Sequence, residues 1–148
     1  MADAATAFEH ATFLGGRQTH KRDPERLRLF AEHLEEGERV AYVLPCRSST
    51  LLLTDRRLLD LKPQLVSHGA WNVMNFSGFA LAVEIPRGTA SSIRRKPVSL
   101  GPGGTVVGGE LLEIVAQGKA FTFFTEPYGE GLTPDDLSRF LAAFEGAV

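Results

Sequence analysis

The stretch Ser49–Lys62, which reads S-T-L-L-L-T-D-R-R-L-L-D-L-K, decides the fold of this chain. Three consecutive leucines lead into a polar break, and further leucines alternate with charged residues after it. A short apolar run bounded by turn residues is typical of a core strand, and alternation is typical of a half-buried strand. The stretch therefore predicts a β-hairpin whose charged tip, Thr54–Arg57, lies in water.

Length and composition indicate one globular domain. The chain has 148 residues, 43% of them hydrophobic and 23% charged, which is enough to bury a core without disulfides or a metal. Cys46 is the single cysteine, so an intrachain disulfide is excluded. The first residues lack the basic segment and the following apolar segment that are typical of a signal peptide. No apolar run approaches the ~20 residues that a membrane-spanning helix needs. We therefore expect a cytoplasmic protein.

The N-terminal part predicts an arm followed by a helix. Residues 1–22 carry weak signals, and we expect them to form a mobile or partly helical arm. Asp23 is a good N-cap and Pro24 a good first helical residue, so a helix is predicted over residues 24–36, with Gly37 ending it. Its apolar stripe recurs at helical spacing. The stripe consists of Leu27, Phe30, Ala31 and Leu34.

The remainder reads as consecutive short strands and a closing helix. After the opening hairpin, residues 64–77 predict a loop with a short strand. Further strands are predicted at Phe79–Ile85, Ser91–Leu100, Glu110–Gln117 and Lys119–Thr125, and Glu38–Cys46 precedes the hairpin. Thr133-Pro134 begins an amphipathic helix that Gly146 ends. The pattern predicts a mainly β, α+β fold of about seven antiparallel strands in a sandwich or barrel, with the last helix plugging an open end.

This order of elements resembles the bacterial pleckstrin-homology-like domain family. The residues that carry the resemblance are Gly37-Glu38, the hairpin Leu51–Leu59 with its l-l-T-d-r-R-L pattern, Glu84-Ile85-Pro86 and Ser92-Ile93. The resemblance covers roughly residues 37–145, and it departs from the family at Leu65–Ser77 and Gly101–Gly109. It implies a bent antiparallel sheet, or partly open barrel, capped by the C-terminal helix, with residues 23–148 as a single domain. Family members are mostly binding or scaffolding modules, and some form oligomers.

Charge is unevenly distributed along the chain. Residues 47–96 hold eight basic and three acidic residues, a net charge of +5, and residues 97–148 hold two basic and seven acidic residues, a net charge of −5. The basic middle could form an anion-binding rim, because the arginine fork suits phosphate. The alternative is a set of solvated hairpin tips balanced by the acidic C-terminal third. The candidate residues are Arg56, Arg57, Arg87, Arg94, Arg95 and Lys96.

No motif for a reaction stands out. Gly101–Gly109 lacks the Lys-Ser/Thr ending of a phosphate loop and predicts a turn. The four histidines have no metal-ligand spacing, and Cys46 is interpreted as structural, with an Arg47-stabilised thiolate as the alternative. No cofactor, metal site or catalytic residue is predicted. Nucleic acid is disfavoured as a partner, because few aromatic residues interleave with the basic ones.

Three hypotheses about function follow. The first is a non-enzymatic module that binds a protein or itself, with Trp71 and Phe76 as candidate interface residues. The second is a module whose basic rim binds an anionic small molecule, a lipid headgroup or a membrane surface. The third and weakest is a ligand carrier or enzyme that uses a barrel interior, which a polar pocket ending at Cys46 would favour.

Overall fold

The computed structural model describes residues 2–15, 23–68, 73–100, 106–128 and 131–146. Three helices and eight strands follow one another along these residues. They are α1 (Ala4–Ala7), β1 (Thr12–Phe13), α2 (Pro24–Ala31), β2 (Val40–Pro45), β3 (Thr50–Thr54), β4 (Arg57–His68), β5 (Val73–Pro86), β6 (Ala90–Leu100), β7 (Val106–Ala116), β8 (Lys119–Phe124) and α3 (Pro134–Glu145).

The strands form two sheets. One has the order β1-β2-β3-β4-β5 and the other the order β6-β7-β8, and all neighbours are antiparallel except β1 and β2. An antiparallel bridge between Cys46 and Thr125 links the two sheets where β2 and β8 end. The predicted mainly β, α+β class is confirmed. The arrangement is two sheets and not a closed barrel.

The five-stranded sheet is covered on both faces, which explains the run of leucines. Leu52 and Leu59 are buried against α1 and α2 on one face. Leu51, Leu53 and Leu58 are buried on the other face, against α3 and the three-stranded sheet. Because alternate residues of a strand point to opposite faces, a strand with two covered faces needs no polar positions.

The last helix lies where the sequence predicted it. Thr133 caps its N-terminus in a reciprocal capping box with Asp136, and Pro134 opens its first turn. Its apolar stripe packs into the core between the two sheets, and the Phe140 ring meets the Tyr42 ring edge-on at 6.2 Å between centroids. The stripe consists of Leu137, Phe140, Leu141 and Phe144.

Residues 2–15, part of the arm predicted as mobile or partly helical, contain the short helix α1, and residues 16–22 of that arm lie outside the described residues. Residues 2–15 pack on the five-stranded sheet, and the Phe8 ring lies 6.2 Å from the Phe30 ring. Ala7 and Ala11 are buried in the same apolar cluster as Phe30 and Ala31 of α2. The helix predicted over residues 24–36 ends as an α-helix at Ala31, and tighter i→i+3 bonds continue the chain to a buried Leu34.

The loop predicted for residues 64–77 is instead mostly paired strand. β4 continues to His68 and β5 begins at Val73, with Leu65 opposite Phe76. The pairing of β3 with β4 stops at Leu61. Beyond that point, within the described residues, β4 and β5 pair only with each other. We call the two-stranded segment Pro63–His68 with Val73–Phe79 the ribbon.

Candidate functional site

The six predicted anion-binding residues do not form one rim. Arg56 and Arg87 are neighbours, because the Arg87 backbone N–H donates to the Arg56 carbonyl at 3.0 Å. Arg87 and Arg95, however, donate to opposite ends of α3, at the carbonyls of Ala143 and Pro134. The usual helical rise places those two carbonyls about 13 Å apart along the axis. The basic residues are therefore divided between two places.

Arg57 is buried in an ion pair and Thr54 is fully buried, so the prediction that the hairpin tip Thr54–Arg57 lies in water is wrong at these two residues. The Arg57 side chain is only 10% exposed, and its Nε and Nη2 donate to the Glu38 carboxylate at 2.9 and 2.8 Å. Nη2 also donates to the His33 carbonyl, and Nη1 lies 3.2 Å from the Glu84 carboxylate. These contacts join the connection between α2 and β2 to β4 and β5, and they leave little of Arg57 for a ligand.

The electrostatics of this pair favour both charges. Burial opposes ionisation of Glu38, but hydrogen bonds from Arg57 and Thr54 outweigh it and lower the pKa of Glu38. The hydrogen bonds to Glu38 raise the pKa of Arg57. A buried pair of this kind fixes geometry, because each charge needs the other to remain buried.

Arg95 has a similar structural role at the other sheet. It donates to both oxygens of Glu110 at 2.7 Å and to Ser138 Oγ at 2.8 Å in the first turns of α3. The Tyr128 hydroxyl donates to the same carboxylate. Hydrogen bonds from Arg95 are the main cause of the lowered pKa of Glu110, and burial followed by the Glu110 contact raises the pKa of Tyr128 to about 12.

Of the other four candidates, two donate hydrogen bonds to backbone carbonyls and two are exposed without side-chain partners in the described part of the chain. Arg56 Nη2 donates to the Glu36 carbonyl at 3.1 Å, and Arg87 Nη1 donates to the Thr54 carbonyl at 3.1 Å. Arg94 and Lys96 are exposed on β6, and within the described residues neither side chain forms a hydrogen bond or ion pair. The anion-binding hypothesis therefore retains two exposed cations on one strand and not a converging set.

A different pair of arginines lines a cleft that the sequence did not predict. The cleft encloses about 360 Å³ between α2, the β2–β3 turn and the base of the ribbon. Both polar side chains and apolar rings line it. The lining residues are Arg26, Pro45, Cys46, Arg47, Ser48, Ser49, Thr50, Pro63, Phe76, Phe79 and Glu126. The only sequence signal was Arg47-Ser48-Ser49, a basic residue with two hydroxyls in a predicted turn.

Cys46 forms part of the cleft floor and is 8% exposed. Burial, followed by the Asp60 and Glu126 carboxylates, raises the pKa of its thiol. The thiol is therefore protonated at neutral pH, which opposes the Arg47-stabilised thiolate considered from the sequence. Within the described residues, no group of three His, Cys, Asp or Glu side chains could hold a metal ion.

One of the two candidate interface residues, Phe76, lies on the ribbon. Trp71 lies outside the described residues. Phe76 is 51% exposed, and its cross-strand partner Leu65 is 57% exposed. Residues 63–83 contain no Asp, Glu, Lys or Arg, and this absence of charge is the sequence signal that could have identified the whole segment. The ribbon therefore presents large apolar side chains without charges beside them.

Comparison of the chain with family models, with curated proteins and with solved structures found no match in any of the three. No helix in the described part of the chain combines the length and the apolar character needed to cross a bilayer. The resemblance to the pleckstrin-homology-like family accordingly stays a prediction.

Proposed function

We propose that this chain is a non-enzymatic binding module of pleckstrin-homology-like architecture that associates with a second copy of itself through the ribbon. The architecture is supported by the order of the elements. Four antiparallel strands, β2 to β5, are followed by three more, β6 to β8, and by a helix buried between the two sheets. The observation that carries the function is the exposed Leu65–Phe76 pair on an uncharged ribbon.

The ribbon has the physical properties of a surface that needs a partner. A two-stranded antiparallel ribbon is marginally stable in water by itself. β5 is also the outermost strand of its sheet, so one edge offers unpaired backbone groups. Proteins usually protect such edges with charged side chains, and β5 has none before Glu84. An edge of this kind favours the addition of another strand.

A second copy fits this surface better than a charged partner would. Charged partners are recognised by complementary charges, and the ribbon offers none. The same absence of charge removes the repulsion that would oppose pairing of two identical edges. Leu65 and Phe76 would meet the same residues of the other copy across a two-fold axis, as closed dimers require.

Light scattering after size exclusion tests this proposal. We expect the wild-type chain to have at least twice the mass of one copy, and Leu65→Lys or Phe76→Lys to shift it to a single copy. Phe124→Lys is the matched control, because Phe124 is an exposed aromatic residue on the other sheet. Its mass should equal that of the wild type. A wild-type chain that stays monomeric at high concentration would remove the proposal.

The alternative of a basic rim receives less support. Arg57 and Arg95 already bind carboxylates bidentately, and Arg87 binds two backbone carbonyls. An incoming phosphate would have to displace those contacts, which connect separate elements of the fold. Anion binding is better placed at the cleft, where neither Arg26 nor Arg47 forms an ion pair with a carboxylate of the described residues.

A further inference from the structure

We propose that the Asp60 carboxylate, buried between the two sheets, binds a primary ammonium group whose apolar body lies in the gap between the edges of β5 and β6. The ligand class is a small alkylammonium or arylammonium ion. The proposal is independent of self-association, because neither Asp60 nor this gap belongs to the ribbon. It rests on a buried oxygen without a partner, on the side chains around it and on the way in which the two sheets meet.

Asp60 lies on β4 among the apolar side chains between the sheets. It is 3% exposed, and its strand partners are Leu51 on β3 and Val83 on β5. Residues that are directly paired across strands point to the same face of a sheet. Leu51 and Leu58 belong to the cluster that packs against α3 and the three-stranded sheet. The carboxylate therefore points into the space between the two sheets and not towards α1 and α2.

One oxygen of this carboxylate has no partner. Oδ1 is buried and accepts no hydrogen bond, and within the described residues no arginine, lysine or histidine forms an ion pair with Asp60. Buried carboxylates normally have hydrogen-bonding or charged partners, because removing a charge from water is costly. After burial, the Asp60 carboxylate is the next cause of the raised pKa of the Cys46 thiol, so its charge acts on the interior around it. A ligand with a positive charge and an N–H donor would supply what this oxygen lacks.

The route to Asp60 is the gap between β5 and β6. These strands follow one another in the chain, but each is the edge of a different sheet, and their described residues do not pair with each other. Moving the two edges apart therefore breaks no hydrogen bond between strands. The turn that joins them is anchored, because Arg87 donates to the carbonyls of Thr54 and Ala143. This arrangement allows the gap to widen beyond the turn while the turn stays in place.

The sides of the gap are apolar. Val83 lies on the β5 edge, and Ala90 and Ile93 lie on the β6 edge. All three are partly exposed and pack against the cluster between the sheets, so they contact both solvent and the interior. Because Val83 is the strand partner of Asp60, the edge of β5 leads directly to the carboxylate. A ligand that enters here places its apolar body against these side chains and its charge at Asp60.

The single free oxygen defines the charged group of the ligand. An ammonium ion is a compact charge with three N–H donors, and one donor is enough to bond Oδ1. A guanidinium group is best matched by two acceptors in a fork. A quaternary ammonium ion has no N–H to donate, and an anion would be repelled by the carboxylate. A primary ammonium ion is therefore the class that fits this site.

Isothermal titration calorimetry at low salt and about pH 7 tests the proposal with hexylammonium, hexyltrimethylammonium and hexanol. We expect hexylammonium to bind and the other two to bind about tenfold more weakly or less. Asp60→Asn keeps the volume of the side chain and removes its charge, and it should weaken hexylammonium binding about tenfold or more. Asp55→Asn makes the same change at the exposed part of the hairpin tip and should leave binding unchanged.

Urea denaturation gives a second measurement, which does not depend on a ligand. Removing a buried charge without a partner should leave the urea midpoint of Asp60→Asn at or above that of the wild type. Hexylammonium should raise the midpoint of the wild type and not that of this variant. A lower midpoint for Asp60→Asn would show that the carboxylate already has a structural partner, such as a buried water only, and would overturn the site.

Val83→Trp retains the carboxylate and fills the gap, so it tests the route to Asp60. It should weaken hexylammonium binding as strongly as Asp60→Asn does, and binding that ignores it would overturn the gap as the entrance. Equal binding of hexylammonium and hexanol, or hexylammonium binding that ignores Asp60→Asn, would overturn the proposal as a whole. None of these variants should alter the oligomeric mass, which keeps this test separate from that of self-association.

Discussion

The two halves of β4 both contain leucine, but these leucines lie in opposite environments. In the first half, Arg57–Leu61, Leu59 is 0% exposed, with a strand on each side and packed layers on both faces. In the second half, Lys62–His68, Leu65 is 57% exposed and β5 is the only paired neighbour within the described residues. The leucines are alike, and what differs is the number of elements that surround them.

We therefore expect the first half of β4 to stabilise the fold and the second half to bind a partner. Apolar area removed from water stabilises a fold in proportion to its extent, so the first half holds the domain together. Apolar area left in water contributes nothing to the isolated copy and is available to a partner. Substitutions in the two halves should therefore have different consequences, and the following predictions go from the largest expected effect to the smallest.

The largest effect is expected at the buried ion pair that begins β4. Glu38→Gln removes the carboxylate that faces Arg57 and leaves a buried cation with reduced compensation. We expect the free energy of unfolding to fall by about 3 to 5 kcal/mol, measured by urea denaturation.

Glu84→Gln is the matched control, because Glu84 pairs with the same arginine through a half-exposed carboxylate. An exposed pair contributes about 0 to 1 kcal/mol, so this variant should remain close to the wild type. Equal losses in the two variants would contradict the view that burial makes the Glu38 contact important.

The next effect compares the leucines directly. Leu59→Ala should lower the free energy of unfolding by about 2 to 5 kcal/mol, because it leaves a cavity between the sheet and α2. Leu65→Ala should change it by about 0.5 kcal/mol or less. Urea denaturation at a protein concentration low enough to populate single copies measures both. A large loss in Leu65→Ala under those conditions would mean that the ribbon is part of the core.

A smaller effect is expected from pH. The pKa of Glu38 is lowered in the folded state and is about 4.3 in an unfolded chain. The pair therefore contributes stability above about pH 4.3, and this contribution is lost as the pH falls through the folded-state pKa. Urea midpoints measured from neutral to acidic pH should decline less steeply in Glu38→Gln than in the wild type. Parallel declines would assign the acid sensitivity to other carboxylates.

The limits of sequence reasoning are clearest at the arginines. Local pattern placed Arg57 at a solvated turn, because nothing adjacent in sequence shows that Glu38 lies across from it. Glu38 and Arg57 are 19 positions apart in the sequence, and the pairing of β2, β3 and β4 brings them together. Arg26 and Arg47 were missed for the same reason, since their cleft is assembled from residues far apart in the chain.

The sequence by itself determined the elements whose signals are local. Turn residues, leucine runs and capping residues predicted the β3–β4 hairpin and α3, because hairpins and helix caps depend on neighbours within a few positions. The tertiary structure alone decided which charges are buried, how far β4 and β5 extend as the ribbon, and that α1 packs on the sheet. Those outcomes depend on which distant segments meet, and one strand pattern is compatible with either environment.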